Sequence, residues 1–376
     1  MLIPAESKVS AENGISIVRR AFGPPFLIEG EPLHVAASIG ASAVRADLDP
    51  EQLVREAQVA MQHSRRTGGG SVEQLDGARS PEGPDPLRLE AELRQAIELD
   101  QFSLHYQPLF RASDGEIEAF EALLRWEHPE RGLVGPDQFI PVLEQSGLII
   151  EVGARVVEAA CIQTAMWAEA GLGQYRVAVN VSAHQLLVPG FLETVRAALS
   201  ESGLEPALLE LEITETTAME QVEFVAEVLD ELHWLGVRLA LDDFGQGYSS
   251  LARLQRLPMS TVKIDRDFIP GIATSPTRRS VVAGIIGLSY ALELTVVAEG
   301  VEADEELQVL RELGCDLIQG YLLSRPLAPS AVEAILLERV RTPILLHPRT
   351  GPTALGPTPI EGAAAPPPAD QTARAA

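Results

Sequence analysis

In LALDDFGQGYSSL (239–251) an apolar run ends in two adjacent aspartates, Asp242 and Asp243, and a glycine-rich loop follows. Adjacent carboxylates repel, and a carboxylate at the edge of a core is costly unless something pairs with it. A solvated turn is the plain reading, because Asp and Gly both favour turns. A cation between the carboxylates is the sharper one. Polar residues punctuate six other short apolar runs in the same way. Together they give Glu121, Asn180, Glu212, Asp242, Asp243, Lys263, Asp265, Glu299 and Gln319, of which six are acidic. Carboxylates plus an amide are hard oxygen donors, which suit Mg2+ or Mn2+ rather than zinc. A carboxylate shared by two ions about 3.5–4 Å apart marks two-metal phosphoryl chemistry, in which the nucleophile is activated and the leaving oxygen stabilised. Asp242 and Asp243 could serve so, one bridging and one terminal.

These residues converge only if their elements bring them together. Asp85 can cap a helix whose first residue is Pro86, with Leu89, Leu93 and Ile97 at four-residue steps. FSLHYQPLF (102–110) and EIEAFEALLRW (116–126), joined at Asp114-Gly115, read as an antiparallel hairpin. Short strands then alternate with helical segments: 177–182, 209–214, 237–243, 261–265, 294–300 and 315–321. That alternation over roughly 250 residues predicts an α/β fold, a (β/α)8 TIM-type barrel, with its site at the C-terminal ends of the strands. Strand parity puts Glu121, Leu123 and Arg125 on one side, and Lys263 and Asp265 on another.

Plain alternatives stand beside this. A single acid ending a strand is more often a helix cap than a ligand, and Lys263 with Asp265 could be an ordinary ion pair. Glu210 shares parity with Glu212 and could be a ligand or a structural partner. His105, His128 and His184 have no metal-ligand spacing. Six acids closing successive strands are much harder to explain in these terms.

The chain has 376 residues and a net charge of −25. That charge argues against duplex nucleic acid and anionic membrane as partners, since both need Lys and Arg. A phosphate ligand would need bound cations. No apolar run reaches membrane-spanning length and no signal-peptide pattern opens the chain, so a cytoplasmic protein is expected. Cys161 and Cys315 are too few for a disulfide framework and are expected as buried thiols.

With these residues in hand, the stretch from about Leu87 to Leu337 resembles the EAL domain, the phosphodiesterase that hydrolyses cyclic di-GMP. The naming motif stands as Glu121-Ala122-Leu123 within FEALLRWEHP. YQP (106–108), FIPVLEQSGLI (139–149), VNVSAHQL (179–186), LELEITET (209–216), LPMSTVKIDRDF (257–268), VVAEGVE (296–302) and GCDLIQGYLLSRP (314–326) follow in order. The resemblance implies a barrel with one antiparallel strand. It implies two ions, Mg2+ or Mn2+: one held by Glu121, Asn180, Glu212 and Asp242, the other by Asp242, Asp243 and, partly through water, Glu299. Lys263 would orient and help deprotonate the attacking water, with Glu299 as candidate general base. Gln107, Arg125, Asp265 and Gln319 would face substrate, and 5′-pGpG would be the product. Glu215 would anchor the regulatory loop Phe244, Gly245, Gln246 and Gly247, which links the site to a homodimer interface. Gln246 departs from the family's usual threonine and puts the dimer coupling in question, rather than the chemistry. The alternative is a catalytically silent cyclic di-GMP receptor or protein-interaction module, whose sequence mark would be a lost ligand; none is lost.

Residues 1–66 read as a partial, degenerate GGDEF-like segment of α+β type, carried by ASIGAS (37–42) and the helix ending AMQHSRRTGG (60–69). Its signature motif is absent, as from a remnant or a late start. Residues 67–86 read as a linker, 87–340 as the barrel, and 341–376, with eight prolines from 343 on, as a disordered Pro/Ala-rich tail.

Overall fold

The computed structural model describes residues 86–220, 222–245 and 254–341, with short stretches at 26–28, 31–33, 39–42, 54, 57, 60–61 and 72–75. Its centre is a closed ring of eight strands: β1 (Phe102–Arg111), β2 (Ile117–His128), β4 (Arg176–Asn180), β5 (Leu209–Thr214), β6 (Arg238–Phe244), β7 (Thr261–Ile264), β8 (Thr295–Ala298) and β9 (Leu317–Ile318). A ninth, β3 (Gly132–Val134), is a hairpin extension of β2. β1 runs antiparallel to both of its neighbours and all other ring pairings are parallel. The reversed strand follows from the tight Asp114-Gly115 turn, where Gly115 takes φ 77°. Parallel neighbours elsewhere need crossover helices, and the sequence supplies them.

The helices that concern the site are α1 (Pro86–Glu98), α2 (Pro136–Ser146), α3 (Ile149–Glu169), α4 (Ala183–Leu186) and α5 (Phe191–Ser202). The main core fills the space between strands and helices, and includes Phe120, Val179, Leu211, Leu241, Val262 and Val296. A second, separate apolar cluster joins Leu89, Leu93 and Ile97 of α1 to Trp126, Val134, Phe139 and Val152. That is the four-residue stripe expected of α1.

Two sequence expectations change. Val72–Leu75, inside the stretch read as linker, is a strand paired in parallel with Ile39–Ser42. Glycine and proline on either side set the linker reading, but Val72 and Leu75 give the intervening four residues enough apolar character to pair. The last barrel strand is only two residues long, because Cys315 and Gly320 lie outside the ladder. The expected disordered tail from 342 onward, and the site-loop residues Gln246 and Gly247, lie outside the described residues. Among the described residues no helix is long and apolar enough to cross a membrane.

Candidate active site

The strands set two layers inside the barrel. In the upper layer Glu121 pairs across with Ala178, Asn180 with Glu212, and Glu212 with Ala240. Asp242, two residues beyond Ala240, faces the same way. Parallel register therefore brings side chains from separate strands to one height near the C-terminal rim.

Lys263 stands at the centre of that layer and is 1% exposed. Its Nζ lies 2.7 Å from Glu212 Oε2, 2.6 Å from Glu299 Oε1, 3.5 Å from Asp242 Oδ1 and 3.8 Å from Glu121 Oε1. Burial alone would lower its pKa, but the four carboxylates overrule it and hold the ammonium protonated well above the usual lysine value. One ammonium does not balance four carboxylates. Burial, with the charges of Glu121, Asp242 and Glu299, raises Glu212 well above the ordinary range against the pull of Lys263. Burial and the charges of Asp242 and Glu121 push Glu299 up to about 8. Glu121 goes the other way: burial opposes its charge, yet Lys263 and the bonds from Gln319 and Asn180 hold its carboxyl low.

An amide network fixes Glu121. Asn180 Nδ2 donates to its Oε1 at 2.7 Å and Gln319 Nε2 to its Oε2 at 2.6 Å. The same Gln319 nitrogen donates to Gln107 Oε1 at 3.0 Å, and Gln107 Nε2 donates to the Ser324 carbonyl at 3.1 Å. Gln319 Oε1 is buried without a hydrogen-bond partner among the described residues. The backbone beyond it is held tightly: a Cβ at Gly320 would come 2.0 Å from the Val301 carbonyl oxygen.

The paired aspartates differ. Asp242 joins the Lys263 group. Asp243 takes a left-handed φ of 55° and donates its N–H to Asp242 Oδ1 at 2.9 Å. Burial, then the charges of Asp242 and Asp265, push Asp243 up to about 6. Asp265 itself accepts from the Asp267 N–H at 2.7 Å and caps the short turn 266–268. It is the one acid among the six whose side chain caps a helical turn among the described residues, the plain role foreseen for such residues. Glu215 is buried and accepts from the Gly245 N–H at 2.9 Å, which ties it to the loop after β6. Phe244 packs in the core. Gly245 takes φ 107°, and a Cβ there would strike the Phe268 ring at 2.8 Å.

Arg125 stands above this layer on the projecting end of β2. Its Nη1 donates to the Leu124 carbonyl at 2.8 Å, and it has no carboxylate within ion-pair distance among the described residues. Burial lowers its pKa. The structure also places residues at the rim that were not singled out in the sequence: Tyr321 is 53% exposed and the Arg325 guanidinium lies 4.5 Å from its ring centre. An aromatic directly after the Gln319-Gly320 turn was the available signal.

Glu210 belongs elsewhere. It sits one layer deeper, toward the N-terminal end of the barrel, bonded to Thr261 Oγ1 and within 3.7 Å of Arg176 and 3.5 Å of Arg238. Those partners begin their strands, so Glu210 is a structural partner.

The upper layer suits a hard divalent cation. It gathers carboxylates in excess of one buried ammonium, raises the carboxyls of Glu212 and Glu299 for want of positive charge, and holds a Gln319 amide oxygen with no partner among the described residues. Among the described residues no three acidic, histidine or cysteine groups close on one common point as ligands, because Lys263 takes the central position.

Fold and site together define a β/α barrel, with one reversed strand, that carries a buried carboxylate–lysine centre at its C-terminal rim. The chain belongs to the EAL domain family, whose profile matches residues 90–326. It is 39% identical over 325 residues to the bifunctional diguanylate cyclase/cyclic di-GMP phosphodiesterase MucR of Pseudomonas aeruginosa, covering 86% of this chain and 47% of MucR. It is 41% identical over 313 residues to the cyclic di-GMP phosphodiesterase NbdA of the same organism, covering 83% and 40%. The chain thus spans about half, or less, of these relatives' length. A solved structure of the MucR phosphodiesterase in complex with c-di-GMP superposes with a TM-score of 0.63 at 44% identity, over 65% of this chain and 99% of that one.

Proposed function

We propose that this chain hydrolyses cyclic di-GMP to linear 5′-pGpG. The observation that carries the reading is the convergence of Glu121, Glu212, Asp242 and Glu299, from four strands, on Lys263 at the rim of an EAL barrel. Relatives with this domain are named for cyclic di-GMP hydrolysis.

Glu121, Asn180, Glu212 and Asp242 would hold one divalent ion, and Asp242, Asp243 and Glu299 a second, of Mg2+ or Mn2+ type. When bound, such ions supply Lewis-acid activation of water and neutralise charge on the phosphodiester. Lys263, held protonated by its neighbours, donates hydrogen bonds that orient the attacking water rather than taking its proton. Glu299, whose Oε1 lies 2.6 Å from Lys263 Nζ, is the general base and accepts that proton. Water oxygen bonds to phosphorus as its proton passes to Glu299, the P–O3′ bond breaks, and the departing O3′ takes a proton from solvent. Arg125, partly desolvated and without a carboxylate in ion-pair distance among the described residues, meets the phosphate or a guanine edge. Gln107 and Gln319 position the substrate side of Glu121, and Asp265 stabilises the floor beside Asp243. The Glu215–Gly245 bond is the link through which pairing of two barrels would report to the site. A second-messenger substrate of this kind places the work in the cytoplasm.

The test is incubation of purified protein with cyclic di-GMP and Mg2+ or Mn2+, following 5′-pGpG by chromatography, with a chelator control. Metal-dependent product is expected, and Asp242→Asn should abolish most of it while leaving the fold intact. Binding without product would make the chain a receptor.

A further inference from the structure

Strand β2 outruns the barrel. Its pairing with β4 stops at Ala122↔Val179, but the strand continues six residues further to His128. Beyond that point it is held by β1, through Arg125↔Ser103 and Trp126↔Phe102, and by the small hairpin strand β3, through Trp126↔Val134. Arg125 therefore stands on a projecting arm and not on the closed ring.

Side chains alternate along the arm, so Arg125 faces the mouth while Trp126 and His128 face the helices. Trp126 is 1% exposed. It packs in the separate apolar cluster with Leu89, Leu93 and Ile97 of α1, and its Nε1 donates to Gln101 Oε1 at 3.1 Å. The Arg131 guanidinium lies 5.0 Å from its ring centre. Outside the ring, Glu92 of α1 is the hub: Arg131 bonds it, His128 Nε2 lies 3.6 Å away, and Arg88 holds it from one turn back at 2.9 Å. Helix α1 thus grips the arm twice, through an apolar cluster and through an ionic clasp. The carboxylate–lysine centre lies below the arm, on other strands and on the part of β2 that is still paired with β4.

Resting on the function proposed above, we infer that α1 is the positioning element for Arg125. Glu92 and the Trp126 cluster fix the arm that carries it, so a displacement of α1 changes affinity for the dinucleotide without altering the chemical step. The chain joins the barrel covalently at Pro86, the first residue of α1, which makes this helix a route by which a preceding segment or its ligand would tune substrate capture.

The experiment compares Glu92→Gln and Arg131→Gln with the wild-type full chain, reading kcat and KM for cyclic di-GMP at saturating Mn2+. KM should rise about fivefold with kcat within about twofold, the scale of a modest coupling between sites. Arg131→Lys, which keeps the charge facing Glu92, should restore most of the affinity. In an Arg125→Ala background, Glu92→Gln should change KM no further, because both act through one group. Val195→Ala, in the main core on α5, serves as a control that lowers the melting temperature and leaves KM alone. An unchanged KM in Glu92→Gln, an undiminished effect without Arg125, or an equal KM rise in the Val195 control would each overturn the inference. A wild-type chain that binds cyclic di-GMP but does not turn it over would defeat the proposed activity alone. Dissociation constants from calorimetry would then take the place of KM in the same comparison. A chain that does neither overturns both.

Discussion

Lys263→Met would remove the buried ammonium while keeping most of the side-chain volume. Among the described residues Lys263 is the one basic group within ion-pair distance of Glu121, Glu212, Asp242 and Glu299. Removing one partner of a buried ion pair costs about 3–5 kcal/mol. Glu212 and Glu299 already lean toward protonation and would respond by keeping their protons, which places the loss near the lower end, about 3 kcal/mol. In a domain of this size about 1 kcal/mol moves the midpoint by roughly 2–4 °C, so thermal unfolding in chelator should shift down by about 6–12 °C. The sign with pH follows from the raised carboxyls. A carboxyl whose folded pKa is raised contributes its stability below the ordinary glutamate range and loses it as pH rises through the folded value. Without Lys263 those values rise further. The variant keeps the Glu299 proton to higher pH than wild type does, so the deficit should be nearly level below about 8, the value for Glu299 in the intact site, and should widen as pH rises through and beyond it. Added Mn2+ should recover part of the loss, because a divalent cation meets the same uncompensated carboxylates. Differential scanning calorimetry across pH, with and without Mn2+, reads all three effects. A midpoint within about 2 °C of wild type at every pH would refute the reasoning, since the ammonium would then not be neutralising buried charge.

Glu210→Gln and Glu212→Gln separate the two barrel layers. The first should lower stability by about 2 kcal/mol, since Arg238 loses its carboxylate and Arg176 keeps only Glu118 at 3.9 Å, and leave KM and kcat near wild type. The second should cut turnover by about 100-fold or more with a smaller change in melting temperature, as measured by product chromatography beside calorimetry. Burial pushes the thiols of Cys161 and Cys315 up to about 12, so iodoacetamide at pH 8 should leave both unmodified in the folded chain and alkylate both in urea, as read by mass spectrometry. Deleting residues 1–80, which spares α1, should leave kcat largely unchanged; a large loss would show that the deleted segment supports the barrel.

The sequence by itself determined the strand order and the identities of the polar residues that the barrel gathers. Short apolar runs ending in Glu, Asp, Asn, Lys and Gln are local patterns, and the period of two along a strand tells which neighbours share a face. The tight Asp114-Gly115 turn fixed the reversed strand in the same local way. Tertiary structure decided height and company. Glu210 and Glu212 have the same parity and the same chemistry, and two residues of rise separate a structural ion cluster from the candidate centre. Nothing in the sequence sets Lys263 against four carboxylates from four other strands, because that depends on ring closure and register across residues far apart in the chain. The arm beyond Ala122 was equally hidden, since β2 reads as one continuous strand whether or not β4 keeps pace with it. Local periodicity is set by the backbone of each segment, whereas the pairing of distant segments is set by the packing of the whole core.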